Sequence, residues 1–139
     1  MKSGGNIKRD PKAGVLVAAT TLTGTYAVQG NVISAHAYDQ ITLFCSWVKG
    51  DETSCEIKLE FSDTAAFTNA YDQIVVNTDA AGESTILSRN YTVDTASKKF
   101  ILNIASQGFY FRVKAKATGG TPTGTLAINY RCDTVQKGG

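Results

Sequence analysis

From Val15 onward the chain is a succession of short runs in which apolar and polar residues alternate, separated by glycine, asparagine and aspartate every eight to twelve residues. That period of two belongs to strands with one face on a core and the other in solvent. Its spacing of turn residues is the one expected of a β-sandwich or barrel. The clearest run is residues 54–62, where Cys55, Ile57, Leu59 and Phe61 alternate with Ser54, Glu56, Lys58 and Glu60. Residues 41–48 differ, with Ile41, Leu43, Cys45 and Trp47 on one face and Phe44 and Val48 on the other. Such a strand is central in its sheet, or is covered by a loop or a partner. Lys49-Gly50-Asp51-Glu52 has turn chemistry, so the two runs are expected to form a hairpin with Cys45 opposite or diagonal to Cys55.

A second hairpin is expected near the C-terminus. Phe109, Phe111, Val113, Ala115 and Ala117 alternate with Tyr110, Arg112, Lys114 and Lys116, and Leu126, Ile128 and Tyr130 return after a loop at 118–124. Residues 21–28, 31–36, 72–77, 84–93 and 99–105 supply further strands, eight or nine in all, while 63–70 has room for one helical turn. A single sheet of this length would leave its apolar face wet, so it must fold on itself. The expected fold is all-β, a two-sheet antiparallel sandwich of jelly-roll type, with a closed barrel as the second choice.

Residues 1–14 lack this pattern and carry Lys2, Lys8, Arg9 and Lys12 among glycines and Asp10-Pro11. They read as a flexible basic arm that is either a frayed terminus or a segment ordering on a neighbour. The sandwich is expected over 15–135, with a short tail at 136–139. No hydrophobic region with a cleavage site follows the basic start, which points to synthesis in a cytoplasm, and Asn90-Tyr91-Thr92 has no meaning as a glycosylation acceptor without secretion.

Composition then narrows the chemistry. The chain has 139 residues, 42% hydrophobic and 19% charged, with a net charge of +2. This is one domain, too ordered in pattern for a disordered tail and without an apolar stretch long enough for a membrane helix. The near-neutral charge argues against nucleic acid. Tyr110, Arg112, Lys114 and Lys116 nevertheless form a basic stripe of the kind that grips single strands, or one that serves solubility or a charged contact between subunits. The odd set Cys45, Cys55 and Cys132 has no C-x-x-C spacing and reads as buried thiols, with one bridge between Cys45 and Cys55 as the alternative.

The single histidine, His36, sits among small residues without a nucleophile or metal partner nearby in the pattern. Glu56 and Glu60 flank Lys58 on one strand face and read as a solvated charge ladder, not a glycosidase pair. Asp51-Glu52 reads as a charged turn, and Gly119-Gly120 lacks the Lys-Ser/Thr and helix of a phosphate loop. No cofactor is expected and no residue set supports catalysis. Trp47 shares a face with core residues. Tyr38, Tyr71 and Tyr91 remain as loop aromatics on which a glycan ring would stack.

The run from Phe44 to Ser62, with its K-G-D-E-T-S turn and its F-S end, resembles a hairpin of small β-sandwich virion proteins of tailed bacteriophages. A later glycine-aromatic-R-V-K strand of that family is similar to residues 108–114. Residues 63–70 depart from its D-G-x-x-W tail. The resemblance covers about half the chain and implies a non-enzymatic capsid-decorating or tail-associated protein, made in the bacterial cytoplasm and carried in the virion. The partners it implies are further copies of the chain, with a trimer as one candidate state, and a capsid or other virion protein. A carbohydrate- or receptor-binding tail domain is the second expectation.

Overall fold

In a computed structural model, residues 10–93, 96–106 and 109–134 are described. They form eleven strands: β1 (Lys12–Thr21), β2 (Ala27–Ser34), β3 (Gln40–Val48), β4 (Ser54–Ser62), β5 (Tyr71–Asp72), β6 (Ile74–Thr78), β7 (Ser84–Ser88), β8 (Tyr91–Val93), β9 (Lys98–Ala105), β10 (Tyr110–Thr118) and β11 (Thr125–Asp133). One sheet has the order β1-β11-β3-β9 and the other β2-β10-β4-β5, with β8 also paired to β4. Every pairing is antiparallel.

Outside the segment from β4 to β8, the chain crosses from one main sheet to the other at every connection, and no strand there pairs with its neighbour in sequence. This is the jelly-roll path. The sheets do not close into a barrel, because β9 and the β5/β8 edge remain open. Among the described residues no helix is present, and residues 63–70 hold only a turn closed by the Phe67 amide on the Thr64 carbonyl.

Both expected hairpins are therefore corrected. β3 lies in the first sheet and β4 in the second, and β10 and β11 are likewise split between sheets. Each pair is an arch over the end of the sandwich. The alternation identifies the inward face of each strand, but a period of two cannot tell a partner in the same sheet from one across the core. Cys45 accordingly faces Cys55 across the core instead of along a ladder: Cys45 pairs with Ile128 and Phe100, and Cys55 with Ala117 and Val93. All three cysteines are buried and unbridged.

The core lies between the two inner faces. Ile41, Leu43, Cys45 and Trp47 of β3 and Leu126, Ile128, Tyr130 and Cys132 of β11 meet Cys55, Ile57, Leu59 and Phe61 of β4 and Phe111, Val113, Ala115 and Ala117 of β10. Phe111 packs edge-on against Tyr130 of the opposite sheet at 6.4 Å, and tilted against its neighbour Phe61 at 6.5 Å. Toward the other end Ala115 and Ala117 stand beside Ile57 and Cys55, which leaves volume for Trp47 from the facing sheet.

Residues 21–28 and 31–36 are expected as two strands, but 22–26 lie outside any strand, and β2 takes the end of the first run together with most of the second. β2 runs through Gly30, where its pairing with β10 slips between Phe111 and Val113. Gly30 has a φ of 71° and passes so close to the Leu16 carbonyl that a Cβ would overlap it. A glycine bulge looks like a strand break in sequence, whereas here it lets β2 approach β1. The basic arm ends sooner than expected: Lys12, Ala13 and Gly14 pair with Cys132, Arg131 and Tyr130. The remainder of that expected arm, including Lys2, Lys8 and Arg9, lies outside the described residues, as does the expected tail at 136–139.

Candidate functional site

Side chains of like chemistry gather at three places: the clasp that closes one end of the sandwich, the charged outer face of the β2-β10-β4 sheet, and the outer face of β1-β11-β3-β9 together with the β6–β7 hairpin.

Glu52, read as part of an exposed charged turn, is fully buried. Its carboxylate lies between the two arches. It accepts hydrogen bonds from the Gly50 amide of its own arch, and from the amides of Thr123 at 2.8 Å and Gly124 at 2.9 Å in the other. Gly124 must be glycine, since a Cβ there would run into the Val48 carbonyl and the Glu52 carboxylate. Burial by itself would raise the Glu52 pKa, but the amides of Gly124, Gly50 and Thr123 outweigh it and hold the carboxyl below its ordinary value. The clasp is structural. Two of its three partners are backbone amides some seventy residues away, at Thr123 and Gly124, a placement that sequence spacing does not reveal.

Tyr110, Arg112, Lys114 and Lys116 do share one face of β10, each half-buried. Their charges are met inside the sheet. Arg112 Nε donates to Glu60 at 2.7 Å, Lys114 Nζ lies 3.2 Å from the same carboxylate, and Lys116 Nζ lies 3.3 Å from Glu56. Phe67 covers the Arg112 guanidinium at 4.2 Å, and the Tyr26 ring lies beneath both Lys58 and Lys116. Glu60 is buried, so the expected solvated ladder is instead a partly covered ion-pair network. Burial, with the Glu56 carboxylate beside it, pushes the Tyr26 phenol up to about 12. Lys12, the described member of the basic arm, donates to the Ser34 carbonyl at 3.0 Å and ties β1 to the end of β2.

The other outer face is different in kind. Register places Val15, Asn129, Phe44 and Ile101 in one row across all four strands of β1-β11-β3-β9. Phe44 is 42% exposed and Ile101 58%, with Val15 and Val48 also open to solvent. No loop of the described chain covers them. A shallow hollow of about 400 Å³ lies between Phe44 and Ile101, with Lys99 and Asn129 among its lining residues. Beyond the opposite sheet, β6 and β7 form a separate ribbon attached through the neighbouring β5 and β8. Ile74, Val76 and Ile86 share one of its faces, and Leu87 lies on the other, all exposed.

The remaining expected site residues are scattered. His36 is exposed in a turn with its ring 4.8 Å from Phe109, and Trp47 is core. Tyr38 packs partly on the core and donates to the Asp10 carbonyl, and Tyr91 donates to Gln73 Oε1. Tyr71 alone of these three is exposed, at a cleft of about 430 Å³ lined also by Asp63, Asp72 and Gln73. Among the described residues no group of histidine, cysteine, aspartate and glutamate is arranged to hold a metal, and no helix is long and apolar enough to cross a membrane.

No family model and no curated protein matches this chain. Among solved structures, the SPBc2 prophage-derived protein YomS is similar over 90% of this chain and 94% of its own, at 18% identity and a TM-score of 0.48.

Proposed function

We propose that this chain is a non-enzymatic virion protein of a tailed bacteriophage, a capsid decoration or auxiliary protein that works by docking. The observation that carries the docking role is the uncovered row on the β1-β11-β3-β9 outer face. A solvent-facing strand position normally takes a polar residue, yet β3, central in its sheet, presents Phe44 and Val48 outward. Contiguous exposed apolar surface of this kind marks interaction sites. The assignment to a virion comes from the sequence resemblance of residues 44–62 and 108–114 to small phage virion proteins. Repeated attachment around a shell turns weak single contacts into durable ones by raising local concentration.

The test is binding to purified particles. Phe44→Lys is expected to keep the fold, since the side chain faces solvent, and to lower particle occupancy; removal of residues 2–9, which leaves β1 whole, tests the arm separately. Unchanged occupancy of the Phe44→Lys protein would sink the docking role of this face.

A glycan-binding tail domain is the second reading, favoured by the cleft at Tyr71, where an exposed ring stands beside two carboxylates. Tyr71→Ala is expected to abolish binding on a glycan array if that reading holds, and an array blank with the unaltered protein removes it.

A further inference from the structure

We propose that the β6–β7 hairpin of one copy of this chain seats on the outer face of the β1-β11-β3-β9 sheet of another, with the apolar face of Ile74, Val76 and Ile86 over Phe44 and Ile101. The inference rests on reading that outer face as an assembly surface and names its occupant.

Two unpartnered apolar surfaces on one chain are the first ground. A two-stranded ribbon is marginal in water by itself, and this one sends Val76, 55% exposed, and Ile86, 67% exposed, into solvent. It is held at its base by the Arg89 amide on the Gln73 carbonyl and by Ser88 donating to Asp72 at 2.6 Å. It branches from the β5/β8 edge of the sheet opposite to the one bearing Phe44 and Ile101, and β6 and β7 pair only with each other.

Charge complementarity is the second ground and selects a copy of the same chain as the occupant. Residues 74–88 contain Asp79 and Glu83 and no lysine or arginine. The Asp79 carboxylate is engaged in its own tip, accepting from the amides of Ala81 and Glu83, which leaves Glu83 as the outward acid. On the receiving face Lys99 lies two residues along β9 from Ile101, on the same side of the sheet, exposed and without an ion pair among the described residues. An apolar ribbon with an acidic tip thus meets an apolar hollow with a basic rim.

The contact closes reciprocally, as a two-fold dimer in which each hairpin seats on the other copy, or head to tail as a ring when its rotation closes. A trimer is one such closed form.

Cross-linking with single added cysteines decides it. Val76→Cys and Phe44→Cys are both at exposed positions, and the native thiols are buried, so a short bismaleimide reports the new sites; unaltered protein run in parallel sets the background. Cross-linked dimer in the mixture of the two variants, and in neither variant alone, is the expected result. Dimer from Val76→Cys alone would mean hairpin-to-hairpin pairing, and no dimer in the mixture would mean no contact; either overturns the proposal. Sedimentation supplies the second arm. Glu83→Lys and Lys99→Glu should each weaken self-association at least about tenfold, and the two together should restore it; a chain that sediments as a monomer throughout overturns the proposal as well. Self-association with no trace of the chain in particles would instead defeat the virion reading while leaving this one standing.

Discussion

Glu52 shows how much one residue decides. Its carboxylate satisfies amides from two arches that are remote in sequence, and hydrogen bonds to an ionised acceptor are worth more than neutral ones. Glu52→Ala would leave these amides buried and unpaired, a cost of about 3 kcal/mol or more, and Glu52→Gln, which keeps one acceptor oxygen, should cost less; chemical denaturation measures both. The same residue sets the acid limit. Its folded pKa is below the ordinary 4.5, so its contribution is complete above that value and is lost as pH falls through the folded pKa. The thiols set the alkaline limit. Burial pushes Cys45 and Cys55 up to about 12 and Cys132 up to about 11, from an ordinary 9. Stability from keeping them neutral is full below about 9 and declines as pH rises toward the folded values. Thermal midpoints should therefore fall on both sides of a neutral plateau. A thiol reagent at neutral pH should label the native protein slowly and the unfolded protein at three sites; fast labelling of the native state would contradict the buried placement.

At the level of elements, the strands and their inward faces were legible in the sequence, because burial in β3, β10 and β11 follows the period of two residue by residue. What was not legible is which strand pairs with which. Short polar connections at 49–53 and 119–124 are compatible with a hairpin or an arch, and the choice depends on Glu52 and Gly124 meeting across the end of the sandwich. Gly119 and Gly120, with φ of 74° and 65°, turn the second arch there. The Lys12–Gly14 strand was hidden because its pattern is too short and polar to show a period, although β11 offers it a ladder. Phe44 and Val48, by contrast, were already anomalous in sequence and remain so in the fold. The β6–β7 hairpin contributes little to the core, so joining Gln73 to Arg89 by a short glycine-serine link should leave the thermal midpoint within a few degrees and abolish self-association. A large loss of stability would mean the hairpin supports the sandwich.

Taken whole, the molecule divides its two outer faces by chemistry. The β2-β10-β4 face satisfies the charges of Arg112, Lys114 and Lys116 internally through Glu56 and Glu60. The β1-β11-β3-β9 face leaves apolar side chains uncovered. A rigid jelly roll with one uncovered face and a projecting ribbon suits assembly by contact, which is the role proposed here. The direct test is a cryo-EM reconstruction of a particle carrying this chain. The account predicts density for the sandwich with Phe44 and Ile101 buried in a contact and the hairpin seated on a neighbouring copy. A reconstruction in which that face and the hairpin both stand free in solvent, or purified particles from which the chain is absent, would contradict it.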